Sequence, residues 1–385
     1  MKRLETDQQL LPDDLIIEIL SRLPMPAISK FRCVSKSWIN IIDSSSFAEL
    51  HLRNYCNKPT SNNDSCVLMH NFDFRTKILK ISMMLAGCHR LCREFSLDSD
   101  FESDTRIDIV GPVNGLICIY EIRNTERFTL CNPYLGETKA LPRAPRTMRD
   151  GSLVFHRVGL GFDPVHKDIK VVQLLCYSDI NNEGKHTRRM LVAVYSRNTN
   201  IWTILEDNVS INRWVGGAIA ISDSDGSFCH WVALPDQDGG VSTYVVLSFD
   251  VCNGVFYTTQ LPPCISDASE VRIKVFGKGG TLVLFSSTRV QPIAEGGDFW
   301  DMWVLSGLGK EGRWTWRSGI GPLLHLSKPV GLWKSRRLVL YYIEEKRFVI
   351  YDYQTHEITN MDIDVEDECN PKVVEFKGSL VSLRN

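Results

Sequence analysis

A hairpin-forming unit that recurs five times after residue 54 constrains the fold of this chain more than any other feature. Each copy is a short apolar run, a turn rich in Gly, Asn or Asp, and a second run with an aromatic or apolar residue. Aligning the copies on Asn132, Ser196, Asp250, Ser306 and Asp352 gives intervals of 64, 54, 56 and 46 residues. Between them lies a second kind of strand pair, often opened by glycine, as in NGLICIYE. Two hairpins per roughly 50 residues is the strand density of a propeller blade.

Four further strands remain after five blades are counted: CVLMHNF and ILKISMM on the N-terminal side, KVVEF and SLVSLRN on the C-terminal side. A blade built jointly from these two groups would close the ring and so remove open sheet edges. We therefore predict an all-β, kelch-like β-propeller of about six blades over residues 55–385. A seven-bladed ring and an irregular β-sandwich are the alternatives.

Residues 11–54 show a helical pattern instead. Apolar residues at three- and four-residue spacing line one side of a predicted helix, namely Leu11, Leu15, Ile16, Ile19, Leu20 and Leu23. Pro12 favours its start and Pro24 its end, and two shorter helices are predicted around Ile28 and Trp38. About 40 residues is near the lower limit for an independent core. The fold class predicted is α+β multidomain, with a flexible N-terminus (1–10), an all-α docking domain (11–54) and the propeller.

The helical segment resembles an F-box, the adaptor-binding motif of SCF-type ubiquitin ligases, in the form common in plants. The matching positions are Leu11-Pro12, Leu15, Ile19-Leu20, Leu23-Pro24, Arg32, Val34-Ser35-Lys36 and Trp38. Ser35 replaces the commoner Cys, and Ile28 stands where Leu is more usual. Downstream, GPVNGLICIYE, LCNPYLGETKALP and VGLGFDPVHKDIKVV resemble the F-box-associated domain of the same proteins. From the residues alone, the alternative is a helical hairpin packed on the chain's own core.

The resemblance implies a non-catalytic substrate-recognition subunit of an SCF-type E3 ligase. A Skp-type adaptor would bind the F-box and bridge to cullin and RING subunits, while the propeller captures a target protein for ubiquitination and proteasomal degradation. Ten residues are predicted to form the adaptor face: Leu11, Pro12, Leu15, Ile19, Leu20, Leu23, Pro24, Ile28, Val34 and Trp38. A narrower hypothesis is an S-locus F-box protein that recognises stylar ribonucleases in self-incompatibility. The alternatives from other classes are a non-degradative propeller scaffold or binding module, and a propeller enzyme.

Composition bounds the location and the partners. Lys and Arg number 44 against 46 Asp and Glu, a formal charge of -2, which argues against nucleic-acid binding. No apolar run approaches the length of a membrane span, and residues 1–10 lack the apolar core of a signal peptide. We therefore expect a cytoplasmic or nuclear protein. Its 12 cysteines are expected to be reduced, mostly as small buried hydrophobes within strands, as at Cys118, Cys131, Cys176 and Cys252.

Motifs that carry chemistry are nearly absent from the sequence. Gly307-Leu308-Gly309-Lys310-Glu311-Gly312 fits GxGxxG, but it joins two predicted strands and is expected to be a hairpin loop. Cys88, His89 and Cys92 lack the second ligand pair of a zinc site, and the turn at 223–226 lacks the downstream acid of a calcium loop. We predict no catalytic residue, cofactor or metal.

Two loops carry clusters of basic residues: Arg143, Arg146, Arg149 and Arg157 in one, and Lys185, His186, Arg188 and Arg189 in the other. Solvated loop charges are the default interpretation. The functional hypothesis is that these loops contact an acidic or phosphorylated partner, because propellers bind ligands with the loops of one face. The residues assigned to substrate binding are Arg146, Arg149, Arg188, Arg189, Trp214 and Trp300, the aromatics as interface anchors.

Overall fold

In the computed structural model, the described residues form four helices followed by a ring of six β-sheets, which confirms the predicted organisation of short N-terminal helices and an all-β propeller. The structure describes residues 11–56, 66–73, 78–85, 91–98, 107–145, 152–180, 186–205, 213–214, 221–222, 226–235, 244–262, 265, 272–278, 281–287, 298–323, 327–333, 337–361 and 372–384. The predicted flexible N-terminus, residues 1–10, lies outside these ranges.

The helical domain consists of α1 (Asp13–Leu20), α2 (Met25–Phe31), α3 (Lys36–Ile42) and α4 (Ser45–Cys56). Pro12 and Pro24 immediately precede the first two helices, where a missing N–H costs nothing. Ser35 caps α3 by accepting the Trp38 N–H at 3.2 Å. The helix α4 was not predicted separately. Its signal is Ser44, whose hydroxyl accepts the Phe47 N–H at 3.2 Å.

Blades 1 to 3 follow one another along the chain. Blade 1 comprises β4 (Ile107–Val113), β5 (Leu116–Glu121), β6 (Phe128–Asn132) and β7 (Glu137–Ala140). Blade 2 comprises β8 (Ser152–Asp163), β9 (Asp168–Ile180), β10 (His186–Ser196) and β11 (Ile201–Leu205). Blade 3 comprises β12 (Arg213–Trp214), β13 (Ile221–Ser222), β14 (Phe228–Pro235), β15 (Val245–Asp250) and β16 (Val255–Gln260). Each is antiparallel, and in blade 3 both short strands pair with β14.

Blades 4 and 5 repeat the four-stranded pattern. Blade 4 comprises β17 (Arg272–Lys278), β18 (Thr281–Ser287), β19 (Asp298–Ser306) and β20 (Arg313–Leu323), with the short 3-10 helix η1 (Gly309–Glu311) in its last turn. Blade 5 comprises β21 (Ser327–Trp333), β22 (Arg337–Tyr342), β23 (Arg347–Asp352) and β24 (Ile358–Asn360). The GxGxxG segment therefore is a hairpin loop, as predicted.

Blade 6 is built from both ends of the propeller region. Its strands β1 (Cys66–Asp73), β2 (Ile78–Leu85) and β3 (Leu91–Asp98) precede blade 1, while its innermost strand β25 (Lys372–Phe376) follows blade 5. Strand β25 pairs with β1 in antiparallel register. The jointly built blade was predicted from CVLMHNF, ILKISMM and KVVEF, and it is confirmed. The fourth segment, SLVSLRN, is not a strand; it runs from the end of β25 across blade 1.

Apolar side chains fill the spaces between neighbouring blades. Six buried clusters occupy the six blade interfaces, from the one between blades 1 and 2 to the one between blades 6 and 1. The innermost strands contact each other around the ring in the order β25, β4, β8, β13, β17 and β21, and β21 contacts β25. Among the cysteines, Cys118, Cys131 and Cys176 are buried thiols that form no disulfide, as predicted, whereas Cys252 is half-buried in the turn after β15.

Three of the five copies of the recurring unit share one turn geometry. Asn132, Asp250 and Asp352 end the third strands of blades 1, 3 and 5, and the side-chain oxygen of each accepts N–H groups two and three residues later. Each backbone carbonyl accepts the N–H four residues on, where the backbone turns left-handed, as at Gly136. The repeat was visible because a side-chain acceptor and a residue tolerant of positive φ must recur at fixed spacing.

Candidate functional site

One row of large apolar side chains lies exposed along α1. Leu15 and Ile19 are 50% and 52% exposed, and their four-residue spacing places them on one side of the helix. Leu11, which is 55% exposed, lies just before the helix. Val34, between α2 and α3, is 58% exposed, and Pro12 is exposed at the start of α1. Exposed apolar residues grouped in this way are typical of a protein-binding surface. We call Leu11, Leu15, Ile19 and Val34 the apolar stripe.

The other predicted adaptor residues lie inward. Leu20 and Ile28 are 1% and 0% exposed and form a core with Ile42 and Phe47. Leu23 and Trp38 pack against that core half-buried, and Pro24 is half-buried as well. The prediction that Leu20 and Ile28 contact a partner directly is therefore wrong. The apolar arc of α1 is wide enough to supply two faces, one for the domain's own core and one for solvent.

Sequence reasoning missed Ile39, which is 37% exposed on α3. It lies next to the motif residue Trp38, in the run KSWINII, and was not included in the predicted adaptor face. Its neighbours Ile41 and Ile42 do pack inward. Ile39 and Ile41 are two residues apart, a spacing that places their side chains on different sides of the helix.

The helical domain rests on the turns of one propeller face, which we call the near face. The Ser29 hydroxyl on α2 is 2.7 Å from the Tyr134 hydroxyl in the β6–β7 turn. The Lys167 ammonium in the β8–β9 turn donates to Glu49 of α4 at 2.9 Å. Both turns therefore contact the helical domain directly.

A buried carboxylate stabilises the second of these turns. Asp163 accepts the Val165 and His166 N–H groups and the Lys170 ammonium, the last at 2.6 Å. Burial alone would raise the pKa of the Asp163 carboxyl, but the hydrogen bonds from Lys170 and His166 hold it well below its usual value. The charged Asp163 carboxylate thus fixes the turn that carries Lys167.

The opposite, far face of blade 1 is basic. Loop 122–127 joins the ends of β5 and β6 that point away from the turn at Tyr134, so the length of a six-residue strand, about 20 Å, separates it from the helical domain. Arg123 and Arg127 are exposed on this loop. Arg143 joins them, because the Ala144 N–H donates to the Glu126 carbonyl at 3.0 Å and the Arg143 guanidinium lies 3.7 Å from the Glu126 carboxylate.

The predicted substrate residues divide into three groups. Arg146 and Arg149 lie outside the described residues, in the segment between β7 and β8. Arg188, Arg189 and Trp214 lie on β10 and β12 near the far face, as the pairing of Arg189 with Tyr177 and of Trp214 with Leu234 shows. The prediction that Trp300 is an interface anchor is wrong, because its side chain is 2% exposed in the core between blades 4 and 5.

Two buried polar side chains, His156 and Gln173, lie next to the basic loop 122–127. His156 is 2% exposed, and its ring meets Tyr120 and Phe128 edge-on at centroid distances of 5.4 and 5.9 Å. The neighbouring Gln173 amide donates to the Thr125 carbonyl in loop 122–127 at 2.6 Å. Burial lowers the pKa of His156 to about 4, so the imidazole is neutral near pH 7.

We expect this histidine to make the propeller sensitive to mild acid. Between pH 6.5 and about 4 the unfolded chain binds a proton that the folded chain excludes, so the free energy of unfolding falls as the pH falls through that window. At pH 5 the loss is about 2 kcal/mol by order of magnitude. Urea unfolding at pH 7.5 and pH 5 measures it, and His156→Gln should flatten the difference. Equal pH dependence in both proteins would contradict the assignment.

The described residues contain no constellation suited to metal or nucleophilic chemistry. Among them, no three His, Cys, Asp or Glu side chains are grouped so as to hold a metal ion. His230 Nδ1 lies 2.8 Å from the Ser248 hydroxyl, but both are buried within blade 3 and have no access to a substrate. Cys88, His89, the Cys92 side chain and residues 223–225 lie outside the description. No helix within the described ranges is long and apolar enough to cross a membrane.

Comparison with family models assigns both parts of the chain. Residues 9–50 match the F-box domain, and residues 67–383 match the F-box associated beta propeller domain. The boundaries agree with the helical domain and the ring of blades. The second match alone covers most of the chain.

Individual relatives are named as F-box proteins. F-box protein At3g07870 of Arabidopsis thaliana is 23% identical over 84% of this chain and 77% of its own length. F-box protein DOR of the same plant is 32% identical over 43% of this chain and 42% of its own length, so that alignment spans less than half of the relative. Among solved structures, TolB from Acinetobacter baumannii aligns with a TM-score of 0.41 at 8% identity, over 86% of this chain and 72% of TolB.

Proposed function

Since the chain belongs to the family of F-box proteins with an F-box-associated β-propeller, we propose that it is the substrate-recognition subunit of an SCF-type E3 ubiquitin ligase. The observation that carries this proposal is the placement of two different surfaces on opposite sides of the molecule. The apolar stripe lies on the F-box, and the basic far face lies at the other end of the blades.

The apolar stripe is suited to a Skp-type adaptor, which would connect the chain to cullin and RING subunits. Its side chains are about half exposed, so a partner can still remove a large apolar area from water. Leu20 and Ile28 contribute indirectly, because the core they form fixes the helix that carries Leu15 and Ile19. Pro24, which precedes α2, and Trp38, which lies on α3, are half-buried and add to that support.

The far face is suited to an acidic segment of a target protein. Arg123, Arg127 and Arg143 are exposed there, and guanidinium groups pair bidentately with carboxylates and phosphates. Arg188 and Arg189 lie, by strand position, at the far-face end of β10 in the neighbouring blade 2. This charge favours an acidic or phosphorylated target over a basic ribonuclease, since like charges facing each other across an interface cost binding energy.

In this mechanism the chain supplies position and no reacting group. Simultaneous binding of the adaptor and the target converts ubiquitin transfer into a reaction within one assembly, at a high effective concentration of the target's lysines. We place the protein in the cytoplasm or nucleus, where such assemblies act. Proteasomal degradation of the target is the expected outcome.

Affinity purification of the full chain from plant cells under proteasome inhibition tests the proposal. We expect adaptor, cullin and RING subunits, together with ubiquitinated target protein. A variant with Arg123, Arg127 and Arg143 changed to Glu should retain the ligase subunits and lose the target. The matched control changes three exposed cations of blade 4, Lys310, Arg313 and Arg317, to Glu and should retain both. Absence of the adaptor from the native purification would contradict the ligase assignment, and equal target capture by the two variants would contradict the far face.

A further inference from the structure

The segment that follows the innermost strand of blade 6 touches both parts of the molecule. We define residues 377–384 as the clasp. Leu380 packs against the F-box core formed by Leu20, Ile28, Ile42 and Phe47. One and three residues later, Val381 and Leu383 pack into the core between blades 1 and 2. Successive side chains of an extended segment point to opposite sides, so the clasp inserts apolar groups into two cores at once.

Polar contacts fix the backbone of the clasp on blade 1. The Asn132 amide donates to the Ser379 carbonyl at 3.0 Å and to the Val381 carbonyl at 2.9 Å. The Glu137 carboxylate accepts the Ser382 hydroxyl at 2.9 Å and the Leu383 N–H at 2.8 Å. The Arg197 guanidinium from blade 2 donates to the Ser382 carbonyl at 2.8 Å. These five hydrogen bonds attach the clasp to blades 1 and 2, besides its apolar contacts.

The residue at position 132 is suited to this attachment. Asn132 is 0% exposed and uses both halves of its amide: the oxygen accepts the turn N–H groups of Tyr134 and Leu135, and the nitrogen donates to the clasp. At the equivalent turn position, blades 3 and 5 have Asp250 and Asp352, which make the same turn with a carboxylate. A carboxylate serves the turn equally well but cannot donate to two carbonyls.

The F-box side of the contact has little room. Gly378 lies against the Tyr134 ring and the Met25 terminal methyl, and a Cβ at this position would lie 2.9 Å from Tyr134 Cδ2. Met25 is 2% exposed at the start of α2, and Ser29 of the same helix contacts the Tyr134 hydroxyl. The helix α2, the β6–β7 turn and the clasp thus meet at one junction.

We propose that the clasp is a positioning element that holds the F-box in one orientation on the propeller. Leu380 and Asn132 are its two anchoring residues, one toward the F-box and one toward blade 1. Given the function proposed above, the clasp sets the distance between the captured target and the ubiquitin donor. Ubiquitin transfer, and not adaptor affinity, would then depend on it, because the apolar stripe lies elsewhere on the F-box.

Spin-label distance measurements on the full chain test the proposal. Labels on unnatural amino acids at the exposed positions Arg53 and Ile358 leave the native cysteines untouched. We expect a narrow distance distribution in the native chain and broad distributions in Asn132→Asp and in Leu380→Ala. Leu380→Met, which retains an apolar side chain of similar volume, should restore the narrow distribution. The control Asp250→Asn makes the reverse exchange at the same turn position of a blade that lacks the clasp, and it should stay narrow.

A second measurement separates this inference from the proposed function. Both anchor variants should bind the Skp-type adaptor within about twofold of the native chain, while the rate of ubiquitin transfer to bound target falls about tenfold. Unchanged narrow distance distributions in both anchor variants would overturn the proposal that the clasp holds the F-box in one orientation. Failure of the native chain to bind the adaptor would overturn the ligase assignment and leave the distance result standing.

Discussion

Changing Leu15 and Ile19 to Asp should abolish adaptor binding and leave the F-box and the propeller folded. Both side chains are about half exposed in the free chain, so an adaptor that covers them removes the remaining apolar surface from water. Full burial of such a side chain is worth about 1.5–3 kcal/mol, and the half still exposed in two residues corresponds to roughly a 10- to 100-fold change in Kd. The two carboxylates add the cost of burying unpaired charge. We therefore expect a loss of more than 100-fold, measured by calorimetry with purified Skp-type adaptor.

The matched control introduces the same two charges on exposed apolar positions of the propeller. Val165 and Ile201 are 70% and 60% exposed on blade 2, and their change to Asp should leave the adaptor Kd within about twofold. Thermal unfolding should be unchanged in both double variants. Adaptor binding by the Leu15 and Ile19 variant at native affinity would exclude the apolar stripe as the interface.

The choice of these two residues depends on the structure, because the sequence alone points equally to Leu20 and Trp38. Leu20→Ala would remove a fully buried side chain from the small F-box core, at about 2–5 kcal/mol. Such a loss unfolds the domain and would abolish adaptor binding whether or not Leu20 touches the adaptor. Leu15 and Ile19 separate the two effects because the surface they occupy is not needed for folding.

The sequence predicted the propeller well, for a physical reason. A blade turn needs a side-chain acceptor followed four residues later by a residue that accepts positive φ, and Asn132 with Gly136 or Asp250 with Gly254 carry that pattern openly. Strand KVVEF had no partner nearby, so pairing it with CVLMHNF was the solution that closed the ring. Local chemistry and edge closure together were sufficient.

The division of the apolar residues on α1 could not be predicted in the same way. Leu15, Ile16, Ile19 and Leu20 have similar hydrophobicity, and periodicity gives a broad arc without saying which part faces the domain's own core. The role of Leu380 was hidden for a related reason. It lies in SLVSLRN, whose apolar alternation predicts a strand, while its contact with Leu20 and Ile28 joins positions hundreds of residues apart. Trp300 was misplaced because an aromatic beside a polar loop has the same sequence signature in a core and at an interface.

Removing Phe376 should open the ring at blade 6. Phe376 is 0% exposed on the innermost strand and packs with Leu68, Ile81 and Ile109 across the interface of blades 6 and 1. Phe376→Ala should lower the free energy of unfolding by about 3–5 kcal/mol, a large part of the 5–15 kcal/mol typical of a folded domain. Because β25 joins the two ends of the ring among the described strands, its loss leaves β1 as an open edge. Hydrogen exchange followed by mass spectrometry should show faster exchange in β1 and β25 before global unfolding.

Phe249→Ala distinguishes opening at this joint from general weakening. Phe249 is 1% exposed in the core between blades 2 and 3, so its removal creates a cavity of similar chemistry in a blade whose strands follow one another along the chain. Both variants should lose comparable stability, since the buried area lost is similar. Only Phe376→Ala should show selective exchange in β1 and β25, because β25 is held to its blade by pairing with β1 and by its side chains, and not by a short turn. Uniform loss of protection in both variants would mean that the ring unfolds as one unit and that the jointly built blade is as firmly closed as the others.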